Sequence, residues 1–152
     1  MQESVYHKTS SIAQWLYERS FVANEVVRRH KSITAGNVAK IMDKHPYQDS
    51  LSLMWCKVVP RTGPRKSKKD IHQQRGLDLE KEALDAYEIE TGERVFFFDK
   101  FVRDISIPYL IAQVDAVTTT GKIVEIKCPC RFYEKIPTHQ WIQLQITMRV
   151  CG

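Results

Sequence analysis

The hydrophobic periodicity of the chain changes at Gly92, and that change limits the folds open to it. Before Gly92 the apolar residues recur at helical spacing; after it they come in short runs that cluster or alternate as strands do. Ser11-Ile12-Ala13-Gln14 has the form of a capping box. Ile12, Trp15, Leu16, Val22, Val26 and Val27 follow at approximately helical spacing, which predicts a first helix over about 11–29. Further helices are expected over about 35–42, 50–57 and 71–91, the last closed by Gly92 at a C-cap position. Strands are expected over 95–98, 101–104, 109–116 and 122–127, with Thr118-Thr119-Thr120-Gly121 as the turn between the last two. A final helix follows over about 138–150, with Trp141, Leu144 and Met148 as its expected core residues. Helices, then a small and mostly antiparallel sheet, then a helix describe an α+β, or mixed α/β, domain spanning 1–152.

A chain of 152 residues buries roughly two thirds of its unfolded surface, so a core can form without disulfide staples. The longest nearly apolar runs, 95–98 and 107–114, fall far short of the ~18 residues of a membrane span. The polar start Met1-Gln2-Glu3-Ser4 is not that of a signal peptide, and an intracellular protein is expected. Cys56, Cys128, Cys130 and Cys151 show neither a disulfide framework nor a CxxC pair. The separation of 72 positions from Cys56 to Cys128 lends no support to an iron–sulfur cluster, so reduced thiols are expected.

The polar residues embedded in the apolar pattern carry the chemistry. The run 109–114 ends on Asp115, and Val124-Glu125-Ile126-Lys127 follows after the turn. Side chains alternate across a strand, so Glu125 and Lys127 share one face, and a hairpin brings Asp115 beside Glu125. Helix 71–91 contributes a third acid. Projecting 77–88 at ~100° per residue places the apolar side chains on one half of the helix, with Glu80 in the middle of them. Asp78, Lys81, Glu82, Asp85 and Glu88 fall on the other half. A buried carboxylate calls for a counter-ion, and like-charged pairs ~5 Å apart repel by about 3 kcal/mol at an effective dielectric of ~20. Glu80, Asp115 and Glu125 together therefore fit a hard divalent cation, with the Lys127 ammonium beside it. The plainer alternatives are an exposed Glu125 and Lys127, a turn acid at 115, and a Glu80 paired with Arg75 or Arg94.

These residues resemble a known family. Arg75-Gly76-Leu77-Asp78-Leu79-Glu80-Lys81-Glu82-Ala83, Gln113-Val114-Asp115, Glu125-Ile126-Lys127-Cys128-Pro129 and Gln143-Leu144-Gln145-Ile146-Thr147-Met148 resemble the YqaJ-type viral recombinases. Those proteins are lambda-exonuclease-like members of the PD-(D/E)xK nucleases, with a restriction-endonuclease-like core. Arg29 with Ile33-Thr34-Ala35-Gly36 is similar to the family's upstream Arg…Ile-Thr-Ala-Ser segment.

The resemblance implies a DNA nuclease using Mg²⁺, with Mn²⁺ as a substitute, most simply an exonuclease processing DNA ends in recombination or repair. The alternatives are a structure-specific endonuclease of the same fold and a non-catalytic nucleic-acid-binding module. It further implies that Asp115, Glu125 and the Ile126 carbonyl coordinate the metal, that Glu80 completes its surroundings and that Lys127 serves the attacking water. By the same resemblance Gln143 contacts the active site and Arg29 holds a 5′ phosphate. A homo-oligomer and a single-strand annealing partner also follow from it, although no interface for either is legible. Gly36 stands where the family has serine, and Gln113-Val114 where it has Ser-Pro. The chain ends directly after the glutamine helix, where relatives continue, so a fragment or a minimal form is expected.

Charge supports a polyanionic partner independently. Over 57–69 stand six basic residues, Lys57, Arg61, Arg65, Lys66, Lys68 and Lys69, without an acid, and removing them from the net +5 leaves −1 for the rest. Pro60, Gly63, Pro64 and Ser67 make that stretch a loop within the domain. The competing readings are a solubilising loop or a localisation signal. DNA binding through about four of these charges predicts a slope of log affinity against log salt near −3.6, measured by anisotropy of a labelled duplex across a salt titration.

Overall fold

A computed structural model describes residues 15–16, 18, 20–21, 31–59, 71–129 and 133–152. In chain order its elements are β1 (Ser20–Phe21), β2 (Ile33–Thr34), α1 (Ala35–Ile41), α2 (Ser50–Val58), α3 (Ile71–Thr91), β3 (Val95–Arg103), β4 (Leu110–Thr118), β5 (Ile123–Val124) and α4 (Thr138–Cys151). The strand order is β1-β3-β4-β2, with β5 also paired to β4. β2 runs parallel to β4, whereas β1 on β3 and β5 on β4 are antiparallel, so the sheet is mixed. No helix among the described residues is long and apolar enough to cross a membrane.

The apolar run of β4 is explained by its place in the sheet. It is bonded to β3 on one side and to β2 and β5 on the other. Leu110, Ile111, Ala112, Val114, Ala116, Val117 and Thr118 are all buried. A strand covered on both faces loses simple alternation and reads as nearly continuous hydrophobicity. The two positions that stay half-buried, Gln113 and Asp115, are both polar.

The chain divides into two compact units, each assembled from three stretches: 1–18, 64–99 and 114–132 in one, and 19–63, 100–113 and 133–152 in the other. In the first, α3 ends as expected at Gly92. This residue has φ 68°, a conformation that glycine adopts without Cβ strain, and its N–H donates to Glu88 O at 2.9 Å. Glu88 also accepts from Val95 N at 2.6 Å, which couples the last turn of the helix to the first residue of β3. The β4–β5 turn closes through Thr118 N–H to Lys122 O at 2.8 Å and Gly121 N–H to Thr118 O at 3.0 Å, with Gly121 at φ 89°.

In the second unit, α1 packs on α4. Its buried residues, Ala35 and Ala39, are one turn apart and small, which permits close approach. The buried face of α4 consists of Thr147, Val150 and Cys151. Trp141 and Met148, expected in the core, are instead about half exposed, because the helix presents its smaller side chains inward. α2 is capped by Asp49, which accepts from Ser52 N at 2.7 Å. Lys57, the first residue of the basic run, donates to Ser32 O at 2.7 Å. The β3–β4 connection turns around Asp104, whose Oδ1 accepts from Ser106 N and Ile107 N, each at 2.8 Å. Its Oδ2 lies 3.3 Å from Arg149 Nη1 on α4, and the Asp104 side chain is 1% exposed.

Three expectations are corrected. The helix expected over 11–29 does not run through: Trp15, Leu16 and Glu18 are helical, but Ser20 and Phe21 pair with Val102 and Phe101 as a strand. Sheet pairing there outweighs a loose 3.6-residue pattern. Strands 95–98 and 101–104 are one strand, since Asp99-Lys100 does not interrupt β3. The strand expected over 122–127 is regular only at Ile123–Val124.

Asp104→Ala deletes an acceptor of two loop amides and the partner of Arg149 in one change. It is expected to cost about 3 kcal/mol in urea unfolding, and Asp104→Asn, which retains an acceptor, clearly less.

Candidate active site

The site is built where β5 stops. The register pairs Ala116 with Val124 and Val117 with Ile123, so one further step along the ladder sets Asp115 opposite Glu125. At that step the backbone ladder gives way to a side chain: Ile126 N–H donates to Asp115 Oδ2 at 2.8 Å. The carboxylate thus replaces the carbonyl that a longer strand would supply. The chain beyond Val124 has no regular structure through Pro129.

Glu125 and Lys127 form an ion pair two residues apart, with the Lys127 ammonium donating to Glu125 Oε1. The Glu125 side chain is 10% exposed and that of Lys127 38%. Burial pushes the Glu125 carboxyl above the ordinary glutamate range. The charge and hydrogen bond of Lys127 oppose that shift, and the charge of Asp115 adds to it. The net effect of these opposed influences is upward.

Glu80 is half-buried on α3, whereas Asp78, Lys81, Glu82 and Asp85 are exposed. The helical projection is matched at these five positions. It misses Glu88, which is drawn in by the amide of Val95.

Among the described residues, no group of three or more His, Cys, Asp or Glu side chains is gathered closely enough to hold a metal ion. The expected cage of Glu80, Asp115 and Glu125 is therefore not closed. Asp115 accepts from the Ile126 amide and Glu125 from the Lys127 ammonium. The donor set nevertheless fits a hard divalent cation: two carboxylates repel each other, and burial disfavours the charge on one of them.

Gln143 belongs to α4, in the second unit, beside Gly36 of α1. A β-carbon at position 36 would lie 3.7 Å from Gln143 Oε1, in ordinary van der Waals contact. The serine-to-glycine departure therefore falls next to the glutamine that the sequence singled out. Arg29, Arg61, Arg65, Lys66, Lys68 and Lys69 lie outside the described residues. Arg75, weighed from the sequence only as a partner for Glu80, donates to the backbone beyond Lys127. Its place within the Arg75-Gly76…Glu80 segment was the available signal.

With this geometry in view, comparison with known proteins gives a consistent result. The family model of the YqaJ-like viral recombinase domain matches residues 26–152. No curated protein matches. Among solved structures, the chain is similar to an alkaline exonuclease, LHK-Exo, from Laribacter hongkongensis. The TM-score is 0.61 and the identity 24%, over 91% of this chain and 68% of that one. The structure of LHK-Exo in complex with dAMP matches with a TM-score of 0.60 and 25% identity, over 82% of this chain. The match covers 65% of that second chain, so this protein spans just under two thirds of it. These neighbours share the mixed α+β architecture.

The raised Glu125 pKa has a thermodynamic sign. Such a carboxyl favours the folded state below the ordinary glutamate range and loses that contribution as pH rises through its folded pKa. Glu125→Gln is accordingly expected to raise the melting temperature at neutral pH. The difference from the parent should vanish in acid, where both side chains are neutral, as read by thermal unfolding across a pH series.

Proposed function

The chain belongs to the family of YqaJ-like viral recombinase domains, and on that premise we propose that it hydrolyses DNA phosphodiester bonds, as an exonuclease processing duplex ends in recombination or repair. The observation that carries this reading is the junction of β4 and β5. There Asp115, Glu125 and Lys127 are grouped by a ladder that ends on a carboxylate. A surface that only binds nucleic acid has no physical use for two acids facing a polyanion.

Phosphodiester hydrolysis requires charge neutralisation at phosphorus and a water held in line with the leaving oxygen. Asp115, Glu125 and the Ile126 carbonyl are the groups that would hold Mg²⁺, or Mn²⁺ in its place, with Glu80 contributing from α3. When bound, the ion supplies Lewis-acid polarisation of the phosphate and lowers the pKa of a coordinated water. Lys127, which projects from the same short segment as Glu125, is suited to orienting that water and to balancing charge on the phosphate oxygens. Gln143 and Arg29 would contact the substrate, Arg29 at a terminal phosphate, and the basic run over 57–69 would follow the DNA backbone. The complex of LHK-Exo with dAMP supports a deoxynucleotide product for this relative of that protein. A single-strand annealing partner, a homo-oligomer and an intracellular setting belong to the same proposal.

The experiment is digestion of end-labelled linear and closed-circular duplexes with Mg²⁺, Mn²⁺ or EDTA. Loss of linear DNA only, dependent on metal, is the expected result; cutting of closed circles would indicate the endonuclease variant. Lys127→Ala is expected to lower turnover at least ~10²-fold while DNA affinity in EDTA stays within about twofold. Equal turnover of mutant and parent would remove the assignment. Millimolar Mg²⁺ should raise the melting temperature of the parent, and Asp115→Ala should abolish that rise.

A further inference from the structure

β5 ends at Val124, so no ladder fixes the five residues that follow, although these include Glu125 and Lys127. The segment is fastened at two points instead. Near its start, Asp115 Oδ2 accepts from Ile126 N at 2.8 Å. At its end, Arg75 Nη1 donates to Cys128 O at 3.3 Å and to Pro129 O at 3.2 Å, 53 and 54 positions further along the chain. Lys127 lies between the two fastenings.

The residue types suit this task. A guanidinium stays charged at any physiological pH and carries only donors, so it can engage neighbouring carbonyls at once through charge-assisted bonds. Pro129 has a fixed φ and no N–H, which stiffens the chain where the arginine grips it. Arg75 also stands on α3, five positions before Glu80. The same helix that bears the third carboxylate therefore holds the segment bearing the other carboxylate and the lysine.

We propose that Arg75 is a positioning residue: acting through the carbonyls of Cys128 and Pro129, it sets where Glu125 and Lys127 stand and so governs turnover without contacting the reacting atoms. The kinetic part rests on the nuclease reading above; the clamp itself does not. A displacement of ~1 Å in a catalytic group costs on the order of a hundredfold in rate.

The test uses the full chain as Arg75→Gln and Arg75→Lys, with two readouts: steady-state cleavage of a linear duplex, and amide hydrogen exchange over 124–129. Arg75→Gln is expected to lower kcat about tenfold or more with KM within about twofold, and Arg75→Lys, which retains a charged donor, to recover most of the loss. Exchange at the Ile126 amide should accelerate in Arg75→Gln while α3 exchanges as in the parent. Unchanged kcat in Arg75→Gln overturns the proposal. So does a loss carried mainly by KM and not rescued by lysine, which would mean that Arg75 contacts DNA directly. If the parent cleaves no DNA, the nuclease reading fails. The clamp is then decided by exchange alone: faster exchange at Ile126 supports it and unchanged exchange refutes it. Should Arg75→Gln not fold, Arg75→Lys carries both readouts, with kcat and exchange close to the parent expected, and a loss as large as that of Lys127→Ala against it.

Discussion

A single side-chain acceptor ends the β4–β5 ladder. The Asp115 carboxylate, one residue beyond the last backbone pair, takes the Ile126 amide that an ordinary strand would give to a carbonyl. Two consequences follow from that exchange. The chain is released from sheet geometry immediately after Val124, and the residues on either side of the bonded amide, Glu125 and Lys127, project from an irregular segment anchored to the rigid central strand. Because β4 is covered by neighbours on both edges, its half-buried carboxylate is one of the few polar groups that it presents. An irregular segment is thereby tied to a buried strand by one hydrogen bond.

The same arrangement sets stability against chemistry. Burial disfavours the Glu125 charge, Asp115 adds to the penalty, and Lys127 compensates only in part. That unfavourable burial is what distinguishes Glu125 from an ordinary exposed strand acid. Elsewhere in the chain a buried carboxylate serves local structure. Asp104 caps two amides of the β3–β4 turn and meets Arg149, and the sequence shows nothing to distinguish it from a functional acid.

How far the sequence was legible depends on whether local pattern or distant pairing decides a position. Helix α3 and its stop at Gly92 follow from periodicity and a glycine C-cap, both local, and Glu80 stood out because it broke that periodicity. Asp115 beside Glu125 followed from a turn signal and the two-residue alternation of strands. What escaped was decided elsewhere in the chain. Ser20 and Phe21 leave a helical pattern to pair with Val102 and Phe101, and β2 joins β4 in parallel across a long separation. The end of β5 two residues after it begins depends on a carboxylate across the ladder. The exposure of Trp141 reflects which face of α4 meets the alanines of α1, a choice that amphipathic pattern left open.

The packing of α1 on α4 also bears on how the chain is made. Ala35 and Ala39 are buried in a unit that includes α4, whose inward residues Thr147, Val150 and Cys151 lie roughly a hundred positions later. At ordinary ribosomal speed that separation amounts to roughly 5–20 s, during which the apolar side of α1 has no native cover from α4. The native cover of α1 is thus contributed late in synthesis, after the strands of the sheet have been made.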